Sequence, residues 1–296
     1  ALSGLEEQLA DLPSFTEVDR YLLSNNDIPP EALAKLDTGK APRSSYLSSD
    51  ASKIQVFVLF GLDGVDSSDS VMLVALDRVH QKIKLISLAR DSYVFIPEFA
   101  SFSKLAYSYT WGGAAMAVKN LNYNYYLNVS DYIAVDFDQL AQIIDRIGGV
   151  TVNIDEDEAR YLSNYPNVRV GDCLLDGKTA VSYARIRKSS ATDSDRKRTG
   201  RQREVILSIL NTLQTMPLSQ YPGFVRDCLG MCATSFEAET LLTMAAETLG
   251  QNYTVEQYFF PEGQVDWWAG LIKEYFYYVY DLRRASDRIY RIIYEE

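Results

Sequence analysis

The chain has 296 residues, of which 47% are hydrophobic and 23% charged, a balance that excludes extensive disorder and provides for one large or two ordinary cores. Its formal net charge of −11 excludes general nucleic-acid binding, because a reader of the phosphate backbone needs a broad basic surface. The longest apolar run, IQVFVLFGL from Ile54, is under half the length that spans a bilayer, and a lone histidine, His80, leaves no zinc-type spacing.

Residues 1–50 read as an accessory, juxtamembrane helical segment with pieces GLEEQLADL, FTEVDRYLLS and PPEALAKL, punctuated by Ser14 and Asn25-Asn26 and followed by a polar stretch. From Ile54 the pattern turns to strands. The first run is almost continuously apolar with β-branched and aromatic residues, which predicts a central strand buried on both faces. It ends at Gly61-Leu62-Asp63. A second strand, SVMLVALD, runs to Asp77, and a third, KIKLISLA, ends at Arg90-Asp91. Pairing these as hairpins puts the end of the first, the start of the second and the end of the third along one edge. Asp63, Asp69, Arg90 and Asp91 then share a rim. Carboxylates held close together need a cation or ligand to relieve their repulsion. A site with few carboxylates, completed by waters and phosphate oxygens, suits Mg2+. Ordinary turn chemistry is the alternative for Asp63 and Asp69.

Farther along, Lys104 sits in a loop within reach of that rim as a phosphate ligand. A helix after Gly112-Gly113, a strand DYIAVDF, a helix DQLAQIIDRIG stopped by Gly148-Gly149 and a strand VTVNID follow. This alternation predicts an α/β fold, an α-β-α layered domain with a central mixed β-sheet flanked by helices. Residues 171–188 predict a turn, a short helix over 177–181 and a strand carrying Arg185 and Arg187 on one face. Residues 214–296 are expected to form a helical C-terminal part. The tyrosine runs YNYY and YFYYVY read as packing, with sugar platforms as the alternative. Cys228 and Cys232 read as small apolar residues, with a disulfide at a helix end as the alternative.

The most unusual stretch is YARIRKSSATDSDRKRTGRQR, from Tyr183 to Arg203, with eight basic side chains against two acids in an acidic protein. The apolar spacing of Val205, Ile206, Ile209, Leu210 and Leu213 predicts a helix whose lead-in and first turn carry the arginines. Cations are unfavourable at that end unless an anion binds among them. Arg198, Arg201 and Gln202 fall at helical spacing on one face. A solvated patch or a network with Asp193 and Asp195 is the bland alternative.

These motifs resemble the LytR-CpsA-Psr family of bacterial cell envelopes. The resemblance covers roughly Ile54 to Leu213, through GLD at 61–63, SDS at 68–70, ISLARDSYVFIP at 86–97, KLAYSYTWGG at 104–113, DYIAVDFDQLAQIIDRIGGVTVNI at 131–154, LDGKTAVSYARIR at 175–187 and DSDRKRTGRQREVIL at 193–207. It implies one domain over residues 51–296, outside the cytoplasm of a Gram-positive-type cell and tethered by an N-terminal transmembrane anchor. It also implies a phosphotransferase that moves a glycopolymer, of the teichoic acid or capsular polysaccharide type, from a polyprenyl-pyrophosphate carrier to peptidoglycan. Asp63 and Asp69 would be the magnesium-associated carboxylates. Arg90, Arg185, Arg187, Arg198 and Gln202 would hold the pyrophosphate, with Lys104 and Arg201 nearby. Val58, Phe60, Leu73, Val205 and Ile209 would line a lipid pocket or, on the ordinary reading, belong to the core.

Two departures from the family pattern stand out. Ser68 stands where an arginine often precedes the Ser-Asp pair, and Arg196-Lys197 replaces an aromatic-glycine pair. In the implied reaction, arginine forks neutralise the phosphate oxygens while Asp69 helps deprotonate the acceptor. Arg90, Arg185, Arg187 and Asp69 are therefore the catalytic candidates. A non-catalytic binder of polyprenyl phosphates or envelope glycans is the rival reading.

Overall fold

The computed structural model describes residues 18–36, 51–64, 67–187, 191–249, 253–263 and 265–295. GLEEQLADL and Ser14 lie outside them. Of the expected helix FTEVDRYLLS, residues 15–17 also lie outside them; Val18 is helical, a 3-10 turn follows at Asp19–Tyr21, and Leu23 then bridges to Phe102. α1 (Pro30–Leu33) is a single turn opened by a proline at its first position, where the missing N–H costs nothing.

β1 (Ile54–Leu62), β2 (Ser68–Asp77) and β3 (Lys82–Leu88) form the expected antiparallel meander. β4 (Tyr93–Ile96) and β5 (Ser101–Lys104) make a second hairpin, so Lys104 ends a strand and is not in a loop. There follow α2 (Tyr107–Tyr125), interrupted at Gly112 and Gly113, then β6 (Asp131–Asp136), α3 (Phe137–Arg146), β7 (Val150–Ile154) and α4 (Glu156–Tyr161). Next come β8 (Gly171–Leu175), α5 (Gly177–Ala184), α6 (Ala191–Gln214), α7 (Tyr221–Leu229), β9 (Ala233–Thr234) and α8 (Ala238–Leu249). β10 (Thr254–Phe260), β11 (Trp267–Ile272), β12 (Tyr275–Tyr280) and α9 (Leu282–Tyr294) complete the chain. The expectation of a helical C-terminal part is thus corrected over 254–280. Aromatic and β-branched side chains dominate there, and these favour strands.

The fold is α/β, with a central mixed sheet of strand order β10-β3-β2-β1-β6-β9 flanked by helices. The chain divides into two compact units, residues 1–132 with 256–296 and residues 133–255. In the first, β2 is buried along almost its whole length, and Val58, Phe60 and Leu73 are core residues at 1% exposure or less. Lys84 ties this unit together. Its fully buried ammonium donates to Asp77 Oδ2 (2.8 Å) and to the Ile293 carbonyl (2.9 Å), fastening α9 to the β2–β3 hairpin.

In the second unit, β7 and β8 form a two-stranded ribbon packed with α3, α5 and α6 around Ile144, Val152, Leu175, Tyr183, Ile186 and Val205. Ile209 packs against that cluster from α6. Gly177 is required where α5 meets α3, because a Cβ there would lie 2.0 Å from the Ala141 carbonyl oxygen. All three cysteines are free thiols, and burial pushes the Cys228 thiol up to about 12. Among the described residues no helix is long and apolar enough to cross a membrane.

Candidate functional site

In the first unit the site begins with a break in strand pairing. Gly61 pairs with Ser70 and Leu62 with Ser68, so Asp69 is the extra residue of a β-bulge. Bulges re-aim a side chain, and this one turns the Asp69 carboxylate onto the Arg90 guanidinium. Gly61 permits the close approach, since a Cβ there would stand 3.1 Å from Ser70 Cβ. Ser68 is buried, with its hydroxyl 3.4 Å from the Ala106 carbonyl. At this departure from the family pattern the side chain therefore points into the fold.

Arg90 and Asp91 follow the end of β3 in a turn whose backbone is gripped on several sides. The Arg90 carbonyl accepts from Ala106 N (3.0 Å), the Asp91 carbonyl from Tyr278 N (2.9 Å) and the Ser92 carbonyl from Leu105 N (3.0 Å). Asp91 receives Lys104 Nζ on one carboxylate oxygen at 2.7 Å and has Arg90 Nε 3.5 Å from the other. Asp69, Arg90, Asp91 and Lys104 thus form a row of alternating charge, with side chains only 11–21% exposed. Lys104 is also boxed by aromatic faces, its Nζ lying 5.9, 5.7 and 5.4 Å from the ring centres of Tyr107, Tyr275 and Tyr277. Burial, helped by the nearby Tyr21, Tyr275 and Asp91, pushes the Tyr107 phenol up to about 12.

Asp63 is half-buried at the end of the β1–β2 hairpin, where its N–H donates to the Ser67 carbonyl at 3.1 Å. The donor set at this rim fits magnesium in kind. Asp63 and Asp69 are hard oxygen donors on adjoining strand ends, with Arg90 already engaging Asp69, and magnesium is commonly held by one or two carboxylates with its remaining positions left to water and phosphate. Among the described residues the one group of three or more metal-type side chains is elsewhere, at Asp77, His80 and Glu295. Lys84 Nζ already occupies that group, 2.8 Å from Asp77 and 3.0 Å from Glu295.

In the second unit the two arginines expected on a strand are not on one. α5 continues to Ala184 and Arg185 is its C-cap residue. Arg185 and Arg187 are exposed to either side of fully buried Ile186, which explains the alternating pattern without a strand. The Arg185 guanidinium lies over the Phe137 ring, 4.3 Å from its centre.

α6 starts at Ala191, so Arg198, Arg201 and Gln202 stand beyond its first turn. The unfavourable dipole argued for them is correspondingly weaker. Their shared face is buried, at 1%, 5% and 9% exposure. Arg201 is held inside this unit: Nε donates to Glu158 Oε1 at 2.6 Å and Nη1 to the Ile186 carbonyl at 3.1 Å. Glu158 in turn reciprocates the cap of α4 with Asp155. Gln202 Oε1 is buried without a hydrogen-bond partner, a state that costs free energy unless something else approaches it.

Sequence reasoning missed the bulge, the aromatic box around Lys104 and Glu158. The first two require knowledge of which strands pair. Glu158 was legible only as a helix-cap residue in the pattern DEDE.

The model of the LytR_cpsA_psr family matches residues 32–289. A polyisoprenyl-teichoic acid–peptidoglycan teichoic acid transferase, TagU, of Oceanobacillus iheyensis is 29% identical over 230 residues, covering 74% of this chain and 69% of that protein. The regulatory protein MsrR of Staphylococcus aureus is 30% identical over 184 residues, 59% of this chain and 54% of its own length. Among solved structures, TagT bound to LI-WTA superposes with a TM-score of 0.69 at 19% identity, covering 88% of this chain and 99% of that one.

Proposed function

As the chain belongs to the LytR_cpsA_psr family, we propose that it is a phosphotransferase. It would move a glycopolymer of the teichoic acid or capsular polysaccharide type from a polyprenyl-pyrophosphate carrier to peptidoglycan. The similarity to a teichoic acid transferase supports the transferase class. The observation that carries the chemistry is the alternating row Asp69–Arg90–Asp91–Lys104 at the bulged strand end. An acceptor hydroxyl attacks the sugar-bearing phosphorus, a new P–O bond forms, the bridging P–O bond breaks and polyprenyl phosphate leaves.

Arg90 would exchange its carboxylate partner for diphosphate oxygens, with Lys104 adding charge. The backbone grip on the Arg90–Asp91 turn holds the base of that side chain at the rim. Asp69, once released, would take the hydroxyl proton. Arg185, Arg187, Arg198 and Gln202 are assigned to phosphate by the resemblance, whereas Arg201 serves as a brace through Glu158. Asp63 and Asp69 would hold magnesium, which neutralises diphosphate charge when bound. In the cell the domain would work outside the membrane, on a tether.

The test incubates the protein with a polyprenyl-diphosphate-linked glycan and a peptidoglycan oligomer, with and without magnesium, and follows products by mass spectrometry. Polyprenyl monophosphate release matched by a phosphodiester-linked product is expected, and it should fail in Arg185→Ala and Arg187→Ala without loss of fold. Tight carrier binding with no product would make the chain a binder of envelope lipids. Ser68, which supplies no cation where the resemblance leads one to expect an arginine, would then be the first position to change.

A further inference from the structure

We infer that Tyr280 is a positioning residue, which acts through Ser92 to fix the turn that carries Arg90 and Asp91. The inference rests on the transferase reading above for the work that turn does, and on a chain of buried hydroxyls for the means.

Ala89 to Ser92 make a tight turn, closed by Ser92 N donating to the Ala89 carbonyl at 3.0 Å. The Ser92 hydroxyl lies 2.6 Å from the same carbonyl and 2.8 Å from the Tyr280 hydroxyl, which in turn lies 2.6 Å from that of Tyr125. A carbonyl oxygen only accepts, and each hydroxyl has one proton to give. Ser92 therefore donates to Ala89, Tyr280 to Ser92 and Tyr125 to Tyr280. All three side chains belong to residues at 1% exposure or less, so water does not replace a missing member, and a deleted hydroxyl leaves its neighbour unsatisfied. Burial pushes the Tyr125 phenol up to about 12 and that of Tyr280 well above its ordinary value, so both remain donors at neutral pH.

The chain joins distant elements at the rim. Tyr280 ends β12, Tyr125 ends α2 and Ser92 directly precedes β4. β12 also holds the turn by its backbone, since Tyr278 N donates to the Asp91 carbonyl at 2.9 Å and a parallel bridge joins Ser92 to Tyr278. Such backbone contacts survive a side-chain substitution. The bond from the Ser92 hydroxyl to Ala89, at the foot of the turn, instead depends on a group that Tyr280 orients. Tyr280 thus influences the rim at one remove, through the backbone from which the Arg90 and Asp91 side chains start. Mere filling of space would be met equally well by phenylalanine.

Steady-state transfer by the wild type, Tyr280→Phe and Tyr125→Phe, each well below its thermal midpoint, tests this. Tyr280→Phe should lower kcat about tenfold with the carrier KM within about twofold, because a small displacement of a catalytic group is costly to turnover. Tyr125→Phe also deletes a buried phenol hydroxyl but leaves the Tyr280–Ser92 bond in place, and its kcat should stay within about twofold. Backbone hydrogen exchange followed by NMR reads the turn without any turnover. The Ala106 and Tyr278 amides, which donate to the Arg90 and Asp91 carbonyls, should exchange about tenfold faster in Tyr280→Phe and at the wild-type rate in Tyr125→Phe. An unchanged kcat in Tyr280→Phe, equal losses in the two variants, or unchanged exchange at both amides would each overturn the proposal. Absence of transfer by the wild type, with faster exchange in Tyr280→Phe, would remove the transferase reading alone and uphold the hold of Tyr280 on the turn.

Discussion

Arg90 and Arg201 look alike in sequence, each an arginine within a motif of the family resemblance, yet the structure gives them different work. Arg201 and its partner Glu158 are at 5% and 8% side-chain exposure, and the same guanidinium also holds the Ile186 carbonyl. Removing it strands a carboxylate inside the second unit, which costs roughly 3–5 kcal/mol. Arg90 is more exposed, at 21%, and sits on a bulge carboxylate at the rim. Arg201→Met should therefore lower the denaturation midpoint strongly, while Arg90→Ala should cost about 1 kcal/mol of stability and about a hundredfold or more in turnover. Paired denaturation and steady-state measurements decide it. A stable Arg201→Met with only weakened carrier affinity would return that arginine to the phosphate. Helical spacing puts Arg198, Arg201 and Gln202 on one face, but it carries no record of what stands opposite.

At the level of elements, the stretch AVSYARIR shows how a period can mislead. Its alternation reads as a strand, whereas the chain runs through the last turn of α5 and exits with Arg185 and Arg187 to either side of Ile186. Two residues of alternation after a helix end mimic a strand face. The local signals that did hold are chemical ones: Asp176 caps α5 by accepting from Thr179 N at 2.8 Å, and Gly177 follows it. Gly177→Ala should destabilise by about 3 kcal/mol or more, because its methyl group would collide with the Ala141 backbone oxygen at 2.0 Å, and neither helix can yield without losing the packing between them. Chemical denaturation measures this directly, and a loss below about 1 kcal/mol would mean that α3 and α5 separate easily.

Over the whole molecule, the first unit is built from two distant pieces of chain and depends on its C-terminal return. The buried Lys84–Asp77 pair secures that return, with Glu295 adding a second acceptor at 3.0 Å. Burial alone would raise the Asp77 carboxyl, but hydrogen bonds from Lys84 and from His80 outweigh it and hold it at about 2, below its ordinary 3.8. Glu256 and Glu295 are depressed in the same direction by Lys82 and, for Glu295, also by Lys84, despite burial. A carboxyl lowered in the folded state stabilises above its unfolded value and loses that contribution as pH falls through its folded one. Stability from Asp77, on the order of 2 kcal/mol, should therefore fade between about pH 4 and pH 2. Thermal unfolding against pH should show a shallower acid slope for Asp77→Asn than for the wild type, and identical slopes would clear Asp77 of the effect.

The sequence by itself determined the strands β1 to β3, the helix and strand from Asp131 to Ile154, the fold class and the family, because each rests on periodicity or on ordered local motifs. It also put Asp69, Arg90 and Asp91 on one rim, since a meander of adjacent hairpins follows from turn positions alone. Tertiary structure decided the rest. The bulge that aims Asp69 depends on a one-residue slip between β1 and β2. The fate of Arg201 depends on Glu158, 43 residues away. The aromatic box around Lys104 needs Tyr107, Tyr275 and Tyr277 to meet. Contacts between residues far apart in the chain leave no period in it, and the chemistry of a side chain is fixed by the partner that folding brings to it.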